Sequence, residues 1–273
     1  MCSTPTTSRI TASFAALRAQ NRAALVPYVT AGDPDFDTSL AVLEALADGG
    51  ADVIELGVPF SDPMADGPVI EAAMGRALAG GMTLARVLEL VSRFRSKHAT
   101  PVVLFGYLNP LYSSGLAAIA ARAKEAGADG FLVVDLPPEE AAQLTDHTKT
   151  AGLDVIALFT PTSDDARVEA IGAAASGFAY YVSMASVTGD ALTDFATVRE
   201  RVARVRELAG LPVAVGFGIR SEADAITVAR FADGVVIGSA LVAALHAAGA
   251  DAPAVARAWA ERYRAAIDGA RSV

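Results

Sequence analysis

The run Val53-Ile54-Glu55-Leu56-Gly57-Val58-Pro59-Phe60-Ser61-Asp62-Pro63-Met64-Ala65-Asp66-Gly67-Pro68 begins as an almost continuous apolar strand and ends as a loop restricted by prolines and a glycine. A strand apolar on successive residues, without alternation, fits a parallel sheet covered on both faces. Seven further runs of this kind occur, at residues 25–30, 102–107, 131–136, 155–159, 180–183, 213–216 and 235–238. Alanine- and leucine-rich stretches of helical period follow them, for example at residues 38–47, 116–126 and 198–208. Eight such units close most simply into a (β/α)8 or TIM barrel, one domain over residues 1–273. A helix at 8–20 precedes the first strand, two at 70–79 and 84–94 fill the long gap after the second, and one at 255–267 closes the chain. Residues 1–7 are expected to form a disordered tail. The phrases Gly50-Ala51-Asp52, Gly127-Ala128-Asp129 and Phe231-Ala232-Asp233 stand between helix and strand, where glycine ends the helix and turns the chain.

Composition narrows the function. The chain has 273 residues, 31 acidic against 22 basic, a net charge of -9 and no Lys/Arg block, so the footprint of a nucleic-acid binder is missing. A small anionic substrate would have to be held by backbone N–H groups and helix ends rather than by a general positive field. The single cysteine, Cys2, excludes an intrachain disulfide and a cysteine-based zinc site, and fits a reducing compartment, by default the cytoplasm. Residues 1–30 lack a signal-peptide pattern, and no uninterrupted apolar run reaches the ~18 residues of a membrane span, so neither secretion nor membrane insertion is expected.

In a barrel of this kind the chemistry sits at the C-terminal ends of the strands. Glu55 lies inside the apolar run of strand two, where a carboxylate must face the mouth or be buried at high cost. A structural carboxylate held by its neighbours is the alternative. Asp62 and Asp66 follow in the shaped loop, where each could instead satisfy turn N–H groups. Two convergent carboxylates would supply an acid and a base. Gly216-Phe217-Gly218 and Gly238-Ser239 mark the ends of strands seven and eight, the usual phosphate site of this fold. Residues 183–189 are small and polar enough to form a lid. His98, His147 and His246 lie far from the strand ends; no transition-metal cluster, Walker loop or dinucleotide fingerprint is present, and no cofactor is expected.

The strand-two segment resembles the signature of tryptophan synthase alpha subunits. The likeness extends to Val26-Pro27-Tyr28-Val29-Thr30-Ala31-Gly32-Asp33-Pro34, Tyr107-Leu108-Asn109-Pro110, Asp135-Leu136-Pro137 and both glycine segments. It implies cleavage of indole-3-glycerol phosphate to indole and glyceraldehyde 3-phosphate, with Glu55, Asp66 and Tyr180 catalytic and Tyr180 facing the two carboxylates. It implies a phosphate cup of Gly189, Gly216, Gly218, Gly238 and Ser239, and an indole pocket of Tyr28, Phe105, Leu132 and Phe217. Thr188 would close a lid over Asp66. The family lid commonly has glycine where this chain has Ser186, whose Cβ restricts the backbone and bears on closure. A beta subunit carrying pyridoxal phosphate is the implied partner, in an alpha2beta2 complex, docking near Asp62, Met64, Asn109 and Pro137. Another phosphosugar barrel enzyme, a regulatory barrel without turnover and a free-standing indole-releasing lyase are the competing readings.

Overall fold

The computed structural model describes residues 7–183, 195–216 and 218–271. Nine strands form one parallel sheet: β1 (Ala24–Thr30), β2 (Ile54–Gly57), β3 (Val102–Gly106), β4 (Gly130–Val133), β5 (Asp154–Val155), β6 (Ala157–Phe159), β7 (Ala179–Val182), β8 (Val213–Gly216) and β9 (Gly234–Ile237). Their order is β5-β4-β3-β2-β1-β9-β8-β7-β6, so the two ends of the sheet are consecutive in the chain and the ring closes across residue 156. The expected fifth strand, residues 155–159, is therefore two short strands, β5 pairing with β4 and β6 with β7. The break has a local cause. Ser176 takes the Val155 N–H on its Oγ at 3.1 Å and gives its own N–H to the Val155 carbonyl at 2.9 Å, so β7 begins beyond that point, opposite Ala157.

The helices are α1 (Arg9–Ala19), α2 (Phe36–Asp48), α3 (Pro68–Ala79), α4 (Leu84–Arg95), α5 (Leu108–Tyr112), α6 (Leu116–Ala126), α7 (Ala142–Ala151), α8 (Asp165–Ala174), α9 (Phe195–Ala209), α10 (Glu222–Ala229), α11 (Ser239–Ala248) and α12 (Ala252–Gly269). The extra helices before β1 and after β2 stand where the sequence puts them. The short α5, directly after β3, was not expected from periodicity, because five residues are too few to show one. The run Ser239–Gly269 is long and apolar enough to cross a membrane by length and composition. It is broken at Gly249–Asp251 into α11 and α12, however, and α12 buries Ala256, Trp259, Ala260, Tyr263 and Ile267 within the core between helices and sheet.

The parallel register divides the apolar side chains into two cores. One lies between sheet and helices; the other fills the barrel with Val26, Tyr28, Val53, Val103, Phe105, Leu132, Ile156, Tyr180, Ala214 and Val236. Helix α1 seals the N-terminal end. Its Ile10, Phe14 and Leu17 recur at helical spacing and are buried, with the Phe14 ring 5.2 Å from that of Phe178. On that same end three aspartates do one job. Asp52, Asp129 and Asp233 each accept a backbone N–H from the preceding strand, from Leu25, Val102 and Val213, all at 2.8 Å. Each also holds an arginine: Arg264 at 2.5 Å, Arg9 and Arg95 at 2.5 and 2.9 Å, and Arg206 at 2.7 Å.

Candidate active site

Glu55 occupies the middle of β2, in register with Tyr28 of β1 and Val103 of β3, both of the barrel interior. Its neighbours Ile54 and Leu56 face the outer core, so alternation along the strand turns the carboxyl inward. The residue is 1% exposed, and Oε1 meets no hydrogen-bond partner among the described residues. Burial pushes its pKa up to about 8. A carboxyl of that kind is mostly protonated at neutral pH yet can lose its proton at modest cost, as an acid that must also act as a base requires. The alternative of a structural carboxylate held by its neighbours finds no support in these contacts.

Asp66 lies in the loop between β2 and α3, half-buried, with its Oδ2 accepting from the Tyr107 hydroxyl at 2.6 Å. Burial raises its pKa, and the Tyr107 hydrogen bond pulls it back down. Gly67 and Pro68 then open α3, proline serving at the first turn, where its missing N–H is not needed. Asp62 is exposed and takes a hydrogen bond from Ser61 Oγ at 2.5 Å.

Two tyrosines lean across the barrel mouth onto glycines of the neighbouring strand. A Cβ on Gly57 would stand 2.2 Å from the Tyr28 hydroxyl, and one on Gly216 would stand 2.0 Å from that of Tyr180. No larger residue fits at either position without displacing a ring. Gly216 thus has a steric role besides the phosphate role expected of it, and Gly57 has one that the sequence did not suggest. Burial and the nearby Glu55 and Asp66 carboxylates keep the Tyr180 phenol neutral, its pKa well above the usual tyrosine range. Tyr28, Phe105 and Leu132 line the interior, with Tyr28 and Phe105 edge to face at 5.2 Å. Both Phe217 and the lid residues Ser186, Thr188 and Gly189 lie outside the described residues.

At the other strand ends, Gly218 adopts φ +79°, a conformation side chains rarely tolerate, and Gly238 precedes α11, whose first residue is Ser239. The two helices here differ. Helix α10 is closed by a capping box between Ser221 and Asp224, whereas the N-terminus of α11 has no side-chain cap and no acid in its first turn. Its first N–H groups and the positive end of its dipole are open to an anion.

Met64 (93% exposed), Asp62, Asn109 and Pro137 are all exposed on the segments that leave β2, β3 and β4 at the mouth, Asn109 within α5. A cavity of about 570 Å³ opens elsewhere, beside β5 and β6 and against α7 and α8. Its one carboxylate, Asp135, is engaged by the Leu108 N–H at 2.7 Å, so the reactive groups do not lie there. Among the described residues no cluster of three metal-ligating side chains occurs.

The sequence left Tyr107 without a role, although it ends the third apolar run at the mouth. The rule that picked out Glu55, suspicion of any polar group at a strand's C-terminal end, would have found it.

Comparison with known proteins gives one family. The family model for the tryptophan synthase alpha chain matches residues 14–268. The chain is similar to the tryptophan synthase alpha chain of Burkholderia thailandensis, 54% identical over 96% of this chain and 98% of that one. It is likewise similar to that of Phenylobacterium zucineum, 56% identical over 87% and 86%. Among solved structures it resembles tryptophan synthase subunit alpha from Legionella pneumophila, with a TM-score of 0.90 and 40% identity over 96% of this chain and 99% of that one. A tryptophan synthase from M. tuberculosis in its aminoacrylate-bound form matches with a TM-score of 0.85 and 37% identity over 96% and 100%.

Proposed function

The chain belongs to the tryptophan synthase alpha chain family, and from that premise we propose how its residues divide the work. The enzyme is a carbon–carbon lyase of L-tryptophan biosynthesis that cleaves indole-3-glycerol phosphate to indole and glyceraldehyde 3-phosphate. Cleavage requires a proton at indole C3, stabilisation of the positive charge that then develops toward the ring N–H, and removal of the proton from the hydroxyl that becomes the aldehyde. Glu55 in its neutral form protonates C3. The resulting carboxylate takes the hydroxyl proton as the carbon–carbon bond breaks, so Glu55 ends each cycle as it began. Asp66 accepts the ring N–H and stabilises its charge. Tyr180 faces the two carboxylates as the third catalytic residue, and Tyr28, Phe105, Leu132 and Phe217 wall the indole.

The phosphate is held by backbone at Gly189, Gly216, Gly218, Gly238 and Ser239, with the uncapped start of α11 supplying the dipole. Thr188 closes over Asp66. These steps are proton transfers and hydrogen bonds, and side chains of this one cytoplasmic domain supply them without a cofactor. The observation that carries the assignment is the fully buried Glu55 carboxyl, unpartnered at Oε1 among the described residues, on a strand of the barrel interior. Its test is Glu55→Gln, which keeps the shape and removes the transferable proton. Indole release from the pure chain should fall by about a thousandfold or more, with indole propanol phosphate binding within about tenfold of normal. Near-normal turnover would refute the assignment.

A beta subunit with pyridoxal phosphate docks over the mouth in an alpha2beta2 complex, against Asp62, Met64, Asn109 and Pro137, and receives indole directly. The exposed Met64 beside Asp66 supports that surface, since a protein seated there would order the catalytic loop. Saturating cognate beta chain should accelerate indole release; no acceleration, together with no co-elution on gel filtration, would mark a free-standing lyase instead.

A further inference from the structure

We propose that Tyr107 is a positioning residue of the lyase step, its hydroxyl gripping one oxygen of Asp66 so that the other is presented to the ring N–H of the substrate. The inference rests on the role given above to Asp66. Tyr107 follows β3, and its ring is buried and packed against Phe60 with centroids 5.3 Å apart. The hydroxyl makes two contacts: it accepts the Ala65 N–H at 3.0 Å and lies 2.6 Å from Asp66 Oδ2. An ionised carboxylate can only accept, so the single phenolic proton is committed to Asp66. That makes the second contact a short, charge-assisted hydrogen bond. Among the described residues nothing else donates to Asp66, and Oδ1 is left for the substrate.

The grip is fixed from behind. The next residue, Leu108, gives its N–H to Asp135 Oδ1 at 2.7 Å, which ties the end of β3 to the chain beyond β4. Tyr107 therefore reaches 41 residues back along the chain from a rigid strand end to hold a carboxylate that stands on a loop. Without that donor the other described residues offer a half-buried Asp66 nothing to favour its charged form, and they leave its carboxyl free to rotate.

The test is Tyr107→Phe, which keeps the ring and its packing on Phe60. It should lower kcat by about ten- to a hundredfold, the range a hydrogen bond to a charged group commands. Binding of indole propanol phosphate should stay within about threefold. The acid limb of the kcat/KM profile should move to higher pH, because the ionised form of Asp66 has lost its donor. In an Asp66→Asn background the same change should cost less than about twofold, since the two residues act as one unit. A Tyr107→Phe loss that is equal at every pH, or equally large beside Asn at 66, would reduce Tyr107 to loop packing and overturn the inference. Phe60→Leu, which weakens the packing and keeps the hydroxyl, shows what a packing loss looks like. If Asp66→Asn alone loses less than about fivefold, the assignment of Asp66 fails and this inference falls with it; a severe Asp66→Asn with an unmoved acid limb in Tyr107→Phe overturns this inference alone.

Discussion

Three aspartates at the N-terminal end of the barrel and Glu55 in its interior are treated in opposite ways. At the N-terminal end Asp52, Asp129 and Asp233 each have a backbone donor and at least one arginine. In the barrel interior Glu55, more deeply buried than any of these, has an oxygen with no partner among the described residues. Both arrangements come from acidic residues next to apolar strand sequence, so residue type does not separate them. What separates them is whether the protein completes the hydrogen bonding itself or leaves it for another molecule. A group left incomplete costs stability, and the state is not unique to Glu55: Asp154, buried at the start of β5, has its Oδ2 unpartnered among the described residues.

The largest effect that can break this contrast comes from Asp129→Ala. The change removes the partner of Arg9 and Arg95 and orphans the Val102 N–H. Breaking a buried charged pair on one side costs about 3–5 kcal/mol, and the loss should be read as a lower urea midpoint with unchanged slope. The folded enzyme should keep its kcat within about twofold, because none of these groups lies at the mouth. A variant of normal stability but poor turnover would show that the N-terminal end takes part in the chemistry.

Glu55→Gln should do the reverse and stabilise the chain where the pH is high. Burial lifts the Glu55 pKa from 4.5 to about 8, so the folded state favours the neutral form. The stability tied to it is fully present below about pH 4.5 and is lost as pH rises through about 8. Glutamine cannot ionise and escapes that loss. Melting curves should coincide near pH 4.5 and separate by an amount on the order of a few kcal/mol above pH 8, with glutamine the more stable. Equal melting at every pH would mean that Glu55 finds a donor in solution and that the contrast with the three aspartates is smaller than drawn.

Much of the contrast was legible in the sequence, and the reasons are specific. Glu55 interrupts a run in which every other residue up to Phe60 is apolar or glycine, and a violation of a strong pattern is easy to see. The eight βα units were legible because each repeats one short pattern. The repeated Gly-Ala-Asp phrase shows in sequence only the use of its glycine, since the arginine that holds Asp52 stands 212 residues away in α12. The break at residue 156 depends on Ser176 and leaves no local trace, whereas Tyr107 shows itself as a polar group at a strand end but its partner, on a loop 41 residues earlier, does not. The glycines at 57 and 216 read as strand-end glycines until the tyrosine hydroxyls that press on them are in place.

The smallest effect tests the same idea on two helices at one end of the barrel. The start of α10 is satisfied by its own Ser221 and Asp224, whereas the start of α11 is open. Ser221→Ala removes an acceptor that the Asp224 N–H uses at 3.2 Å and should cost about 1 kcal/mol of stability, with no change in ligand affinity. Ser239→Ala removes no cap, because Ser239 is already inside α11, so the free chain should lose no more than about 0.5 kcal/mol. It should nevertheless weaken indole propanol phosphate several-fold while leaving free indole alone, since the hydroxyl stands at the open helix end where a phosphate would sit. The pair of variants separates two uses of one backbone feature. With both outcomes as expected, the end of α10 capped from within contributes to folding and the uncapped end of α11 contributes to binding. If Ser239→Ala proves costly to the free chain and neutral to the phosphate ligand, α11 is an ordinary packed helix, and the phosphate must be held by the glycine loops alone.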